Sequence, residues 1–411
     1  MNSKKEIILL NISGKDRAGV TSSLTSILAE NNVNILDVGQ AVIHNDLGLG
    51  ILFEVPEESN SAPILKDLLF KSYELGVKVK FTPIEESRYN KWVNEEGKER
   101  NIVTLMTKKL TAEHLSKITS IIANQNLNID YITRLSGRVR LNSKNQSSIK
   151  PSVVEISVRG VPKNRAEMKK DFIDVAEKDG LDIAFQKDNI YRRSRRLICF
   201  DMDSTLIQTE VIDELAHRAG VGNKVSEITE KAMRGEIDFS ESFKQRVALL
   251  KGLDEKVMKE IADNLPITEG AERLFQTLKQ YGYKTAILSG GFTYFANHLK
   301  NQLNVDYVFA NDLEIKNGKL TGKHLGDIVD GNKKAEFVKL LAFKEDIHLE
   351  QVIAVGDGSN DLPMLKMAGL GIAFHAKPKV KESAKNAISN IGLDAILYLL
   401  GFRDREIDED A

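Results

Sequence analysis

Four short stretches of the chain carry side chains that together suit phosphoryl transfer. They are Asp201-Met202-Asp203-Ser204-Thr205, then Ser289-Gly290-Gly291, then Lys334, and last Gly356-Asp357-Gly358-Ser359-Asn360-Asp361. Each has an ordinary reading alone: acids capping a turn, a small-residue bend, a solvated lysine, a Gly/Asp/Asn turn. Their chemistry fits together better than those readings do. Magnesium prefers hard oxygen ligands and takes carboxylates from separate elements without a dedicated cage. Asp201 and Asp357 can supply them, and the backbone carbonyl of Asp203 a further oxygen. A lysine and a hydroxyl then offset charge on a transferring phosphoryl group, where electrostatic stabilisation does most of the catalysis. No histidine is placed for a nucleophile–base pair, and no GxxxxGK[ST] loop is present. An aspartate nucleophile forming an aspartyl-phosphate is the economical chemistry.

Such groups must be delivered to one place, and the flanking sequence indicates how. Residues 197–200 (LICF) form an unbroken apolar run that ends at Asp201, as a buried parallel strand does. Similar runs at 284–288, 307–309 and 351–355 alternate with helical patterns, which predicts a doubly wound α/β domain. In such sheets ligands bind at the strand ends, where the four signals are expected to lie. Residues 211–265 break the alternation. They are helical throughout and read as a cap inserted after the first strand.

These motifs resemble those of the haloacid dehalogenase phosphatases, over residues 197–395. The resemblance implies that Asp201 is the nucleophile and that Asp203 protonates the leaving oxygen, then deprotonates the attacking water. It implies that Ser289 and the Gly290 amide hold the phosphoryl group and that Lys334 balances its charge. Lys334 is preferred to its neighbour Lys333 because the family lysine precedes a small residue, here Ala335. Asp357 then binds magnesium together with Asp201 and Asp203, with Asp361 behind it. Within this superfamily, residues 204–216 (STLIQTEVIDELA) and 242–252 (SFKQRVALLKG) resemble the phosphoserine phosphatase family. They add Glu210, suited to an α-ammonium, and Arg246, whose guanidinium grips a carboxylate through two hydrogen bonds. Met233, Phe239 and Asn360 complete the expected substrate contacts. The implied reaction is hydrolysis of O-phosphoserine, with phosphotransfer and a non-enzymatic regulator as alternatives. The regulator is disfavoured because no catalytic position is missing.

The front of the chain contains an internal repeat. Residues 24–40 align without a gap on 118–134, both carrying Thr-Ser-Ile and Asn-x-Asn-Ile. Strand and helix patterns around each give the order βαββαβ, a ferredoxin-like unit. The predicted strands include 38–44 and 131–141. The Gly14–Gly19 loop and Asn34 make these repeats similar to the ACT domain, a small amino-acid-sensing module. That similarity implies an effector, serine, at Asp16, Gly19 and Asn34. In the second repeat Leu110 and Glu113 replace Asp16 and Gly19, although Asn128 remains.

The expected domains are therefore 1–85, 100–188 and 195–400, followed by a charged, frayed tail over 401–411. A polar stretch at 85–100 and a basic joint at 192–196 separate them. The chain has 411 residues with 58 basic and 59 acidic side chains, so neither nucleic acid nor an anionic membrane is implied as a partner. The one cysteine, Cys199, forms no internal disulfide, and no run reaches the length of a membrane span. A cytoplasmic homodimer is the expectation.

Overall fold

The computed structural model describes residues 6–56, 58–95, 98–138 and 151–407. By compactness the chain divides into two units, Met1–Lys98 and Glu99–Ala411.

The first unit contains β1 (Glu6–Lys15), α1 (Val20–Glu30), β2 (Asn34–Ile43), β3 (Asp46–Val55), α2 (Ser61–Glu74) and β4 (Lys78–Ile84). The strands form an antiparallel sheet in the order β2-β3-β1-β4. Leu24 and Leu28 of α1, and Ile64 and Leu68 of α2, are four residues apart and so share one face of each helix. Both stripes pack on Leu10, Ile12, Ile51 and Phe53 of the sheet. The polar stretch expected as a separator forms α3 (Glu86–Glu95), none of whose residues is buried. Tyr89, Trp92 and Val93 share one face of it, but they stand in a short, strongly polar run, so composition read as a separator.

The second unit opens with β5 (Arg100–Thr107), α4 (Ala112–Asn124), β6 (Asn128–Arg134), β7 (Ser152–Arg159), α5 (Arg165–Asp179) and β8 (Asp182–Lys187). Their sheet order, β6-β7-β5-β8, repeats that of the first unit. The strand expected over 131–141 stops at Arg134, and residues 139–141 lie outside those described. This sheet is apolar on both faces. Val103 and Leu105 face α4 and α5, whereas Met106, Val153 and Ala184 enter the core of the following α/β domain. The seam is also polar: Asp182 accepts from the Ser389 and Asn390 amides at 2.6 and 2.9 Å. Three domains were expected from the sequence; here the second repeat and the α/β domain share one unit.

The α/β domain runs through α6 (Ile190–Arg193), β9 (Leu197–Phe200), α7 (Val211–Arg218), α8 (Gly222–Met233), α9 (Phe239–Ala248), α10 (Lys256–Ala262) and α11 (Ala271–Gln280). It continues with β10 (Lys284–Phe292), α12 (Thr293–Leu303), β11 (Tyr307–Lys316), β12 (Lys319–Leu325) and α13 (Gly331–Lys344). Last come β13 (Val352–Gly356), α14 (Leu362–Met367), β14 (Leu370–Phe374), α15 (Pro378–Ser383) and β15 (Asn386–Ile388). The strand order is β12-β11-β10-β9-β13-β14-β15, parallel except for β12. From β9 the chain passes to β10 on one side, and it later returns through α13 to β13 on the other side of β9. A crevice therefore opens beyond the carboxyl end of β9. Helices α7 to α10 fill the stretch between β9 and α11. The tail expected to fray from residue 401 is held as far as 407: Asp404 is buried and accepts from the Gly137 amide and the Tyr398 hydroxyl, both at 2.6 Å. Residues 408–411 lie outside those described. Among the described residues, no helix is long and apolar enough to cross a membrane.

Candidate active site

Asp201 is the first residue past β9, and its amide donates to the Val355 carbonyl of β13 at 2.9 Å. This bond ties together the two strand ends that carry Asp201 and Asp357. The chain then turns sharply at Ser204, whose φ is 56°. The turn points Asp203 toward α7, and Asp203 Oδ1 accepts from the Val211 amide at 2.9 Å. Gly291 has to be glycine, because a Cβ there would overlap the Asp203 carboxyl and come within 2.9 Å of Met202 Cε. Burial first, then the Glu210 charge, push the Asp203 carboxyl up to about 8.

Beneath the crevice, Lys334 projects from the first turn of α13 and has no exposed surface. Its ammonium lies 2.8 Å from Asp201 Oδ1 and 2.7 Å from Asp361 Oδ1. Burial works against that charge, but Asp201 and Asp361 outweigh it and hold the ammonium above the ordinary lysine value. Asp361 Oδ2 accepts from the Gly358 amide at 3.0 Å, which pins the last motif. A Cβ at Gly356 would come within 2.5 Å of the Asp361 carboxyl, so that glycine admits it.

Single ligand oxygens of Asp201, Asp357 and Asp361 lie within 4.8 Å of one another. Burial followed by the Asp361 charge pushes Asp357 up to about 7, and Asp201 is raised well above the carboxylate range by the same two causes. One lysine does not balance this cluster. An all-oxygen, electron-rich group of this kind fits a hard divalent cation. The expected set named Asp203 in place of Asp361, through its backbone. The Asp361 carboxylate is already engaged by Lys334 and Gly358, so Asp201 and Asp357 have the freer oxygens.

Above these groups lies a cavity of about 920 Å³. Asp201, Asp203, Glu210, Met233, Phe239, Arg246, Gly290, Asp357 and Asn360 all line it. Ser289 and Lys334 do not: both are fully buried and stand behind the wall. Ser289 Oγ accepts from the Gly291 amide at 2.9 Å. Phe239 closes over Gly290, where a Cβ would meet Phe239 Cζ at 2.8 Å. Met233 is 64% exposed and forms an outer lip. Glu210 precedes α7 and accepts from the Ser204 hydroxyl at 2.8 Å. Partial desolvation, and then Asp213, raise its carboxyl. Arg246 comes from α9, with Nε 3.4 Å from the Ser242 carbonyl. Among the described residues Arg246 makes no ion pair, so Glu210 and Arg246 face the same cavity without closing on each other.

Two groups escaped the sequence reading. Asn311, at the end of the parallel part of β11, is buried; its Nδ2 donates to the Gly290 carbonyl at 2.8 Å and to that of Gly291 at 3.3 Å. Its Oδ1 accepts from the Val329 amide at 2.8 Å. A single side chain thus joins the Ser289–Gly291 loop to the segment leading into α13. The available signal was an amide ending an apolar strand, which is common. Thr205 donates to Asp357 Oδ1 at 3.3 Å from a fully buried position. It belonged to the first motif, but had no assigned task.

The proposed effector residues belong to the first unit. Asp16, Gly19 and Asn34 are exposed, Gly19 has φ 93°, and Asn34 Nδ2 donates to Glu54 Oε2 at 3.3 Å.

Comparison with known proteins agrees with both halves of this description. Residues 6–82 match the ACT domain model, and residues 198–366 match that of the haloacid dehalogenase-like hydrolases. A phosphoserine phosphatase of Streptomyces coelicolor is 38% identical over 98% of this chain and 93% of its own length. One from Mycobacterium tuberculosis is 36% identical over 98% of this chain and 95% of its own. Among solved structures, a HAD family hydrolase of Salmonella enterica serovar Typhi superposes with a TM-score of 0.63 at 30% identity. It covers 73% of this chain and 98% of that one. With near full-length likeness and an aspartate crevice at the β9 switch point, the chain belongs to the phosphoserine phosphatase family of the haloacid dehalogenase-like hydrolases.

Proposed function

We propose that the chain hydrolyses O-phosphoserine to serine and phosphate through an aspartyl-phosphate on Asp201. The observation that carries this reading is the unpaired Glu210 and Arg246 in the cavity that Asp201 and Asp203 line. An amino acid presents one ammonium and one carboxylate, and those two side chains match them in sign.

In the first step an Asp201 carboxylate oxygen bonds to phosphorus as the bond from phosphorus to the serine oxygen breaks. Asp203, held protonated by its burial, passes its proton to that departing oxygen. In the second step Asp203 takes a proton from water as the water oxygen bonds to phosphorus and the Asp201 ester breaks. The Gly290 amide, on the loop that Ser289 braces from behind, holds the phosphoryl oxygens, and Lys334 offsets their charge from behind Asp201. Phe239 and Met233 shield the reacting atoms from bulk water. Asp201, Asp357 and the Asp203 carbonyl would hold magnesium, which would supply further positive charge at the phosphoryl group.

Phosphate release from phosphoserine, phosphothreonine and glycerol phosphate, with and without magnesium, tests the reading. Phosphoserine is expected to be fastest, and chelation to stop the reaction. Asp201→Asn is expected to fold and to form no covalent phosphate adduct. Turnover by that variant, or equal rates for glycerol phosphate, would remove the assignment.

We also propose that the first unit binds free serine near Asp16, Gly19 and Asn34. The match of residues 6–82 to an amino-acid-sensing domain supports this.

A further inference from the structure

The basic run 192–196 has no part in the active site, yet two of its arginines turn inward. Arg192 is 8% exposed and Arg195 is 4% exposed. Arg192 is paired with Glu155. Arg195 has no such partner: one terminal nitrogen donates to Gln186 Oε1 at 2.9 Å, and its Nε bonds to nothing. Among the described residues no carboxylate forms an ion pair with it. Burial, then the neighbouring Arg192, pull its guanidinium down to about 10. A buried charge normally comes with a counter-charge, because desolvation is otherwise uncompensated.

Both arginines line a cavity of about 750 Å³ that lies wholly within the Glu99–Ala411 unit. One wall comes from α5 and β8 of the second repeat, the other from β14, α15 and β15 of the α/β domain. Seven lysines and arginines line it against three acids. One of those acids, Asp182, is spent on the Ser389 and Asn390 amides. Lys169 is spent on the carbonyls of Glu382 and Ala384, and Arg165 and Lys187 on Glu99, which leaves Arg195 as a buried cation with no ion pair among the described residues. Asn101 is also in the wall, fully buried, with neither atom of its side-chain amide bonded.

We infer that this cavity binds a small anion bearing a carboxylate or phosphate group, gripped by Arg195 with Arg192 beside it. The planar guanidinium fork is suited to either group. The occupant supplies the counter-charge that Arg195 lacks and links the second repeat to the edge of the parallel sheet. It also touches α15, a wall common to both cavities: Lys379 and Val380 line the active-site cavity, Lys381 and Ser383 the other. Occupancy therefore bears on substrate binding, a consequence that rests on the function proposed above.

Calorimetry on the full chain tests the site with two probes, succinate for the carboxylate and inorganic phosphate for the phosphate. Succinate is expected to bind the parent, to bind Arg195→Met about tenfold or more weakly, and to bind Arg246→Ala unchanged. Phosphate also enters the active-site cavity, so it is read as a second binding event that Arg195→Met loses. Binding of either probe at this site identifies the group that is taken. Without any anion, Arg195→Met is expected to melt no lower than the parent, because removing a buried charge that has no ion pair offsets the lost hydrogen bond to Gln186. Should Arg195→Met fail to fold, Arg195→Lys keeps the charge, loses the fork and is expected to weaken succinate severalfold. Neither probe binding the parent at a site that Arg195 controls overturns the proposal, as does succinate binding equally to both variants. Saturating succinate is expected to shift KM for phosphoserine severalfold in the parent and not in Arg195→Met. Binding with unchanged KM overturns the coupling through α15.

Discussion

The Lys334 ammonium lies 2.8 Å from Asp201 Oδ1 at the floor of the crevice, on a side chain with no exposed surface. Because the same ammonium also contacts Asp361, one cation answers two carboxylates, with Asp357 close by. The site is thus short of positive charge before anything binds. That shortage makes it receptive to a divalent cation, while burial first and the Glu210 charge next push the Asp203 carboxyl up to about 8.

Lys334→Met is expected to abolish turnover and to lower stability, because breaking a buried pair on one side costs about 3–5 kcal/mol. Adding Asp361→Asn removes one of the stranded charges, so the double variant is expected to recover much of the stability and none of the activity. Denaturant unfolding beside phosphate release checks both halves. A single variant as stable as the parent would mean that the lysine is neutral in the free protein.

Asn311→Leu is expected to release the Ser289–Gly291 loop from the segment before α13. Each buried group left unbonded costs about 1–3 kcal/mol, which sets the scale of the stability loss. A merely structural role would lower stability and leave the kinetics of the folded fraction intact. A positioning role raises KM for phosphoserine and weakens inhibition by inorganic phosphate to a similar extent. Asn311→Asp is expected to resemble Asn311→Leu in kinetics, since a carboxylate cannot donate to the Gly290 and Gly291 carbonyls.

Arg246→Ala is expected to impair phosphoserine hydrolysis far more than hydrolysis of an ester lacking the α-carboxylate. About 1.4 kcal/mol is a tenfold change, and a desolvated charge-assisted contact exceeds it. Rates on both esters under subsaturating conditions decide the matter. A uniform loss would make Arg246 a cap-packing residue and weaken the amino-acid assignment.

What could be read from the sequence was set by how local its cause is. The motif aspartates follow apolar runs directly, so their place at strand ends was legible, and the repeat showed itself as recurring residues. Asn311 was not legible because its task depends on loops 21 and 18 residues away. The three-residue β15 is too short to carry a pattern, and β12 pairs antiparallel where parallel strands were expected. The merging of the second repeat with the α/β domain did leave a trace. β1 carries the polar Asn11 and Ser13 at its far end, whereas β5 and β7 remain buried on both faces. Unbroken burial of that kind means that each face has something to cover it.

Free serine is expected to bind the first unit and to lower activity without competing with substrate. The structural ground is a difference between the two repeats at the start of their first helices. In the second repeat Thr111 caps α4 by accepting from the His114 amide, and His114 Nδ1 accepts from the Thr111 amide in return. In the first repeat α1 begins at Gly19 with no side-chain cap and no acid in its first turn. Its opening amides are therefore open to a carboxylate, with Asp16 and Asn34 on the same unit to meet an ammonium. Coupling of this kind is worth about 1–3 kcal/mol, so inhibition is expected to be several-fold or partial. Simple product inhibition at Glu210 and Arg246 is the rival, and extra phosphoserine overcomes it. The Asp16→Ala, Asn34→Ala double variant is expected to keep its turnover and to lose the inhibition that substrate cannot relieve. The fragment for calorimetry is 1–98, which is compact by itself. A longer piece ending near residue 188 would strip Met106, Val153 and Ala184 of the core they share with the α/β domain. If the 1–98 fragment binds no serine and the double variant stays inhibited like the parent, the first repeat has another role, and serine acts at the active site alone.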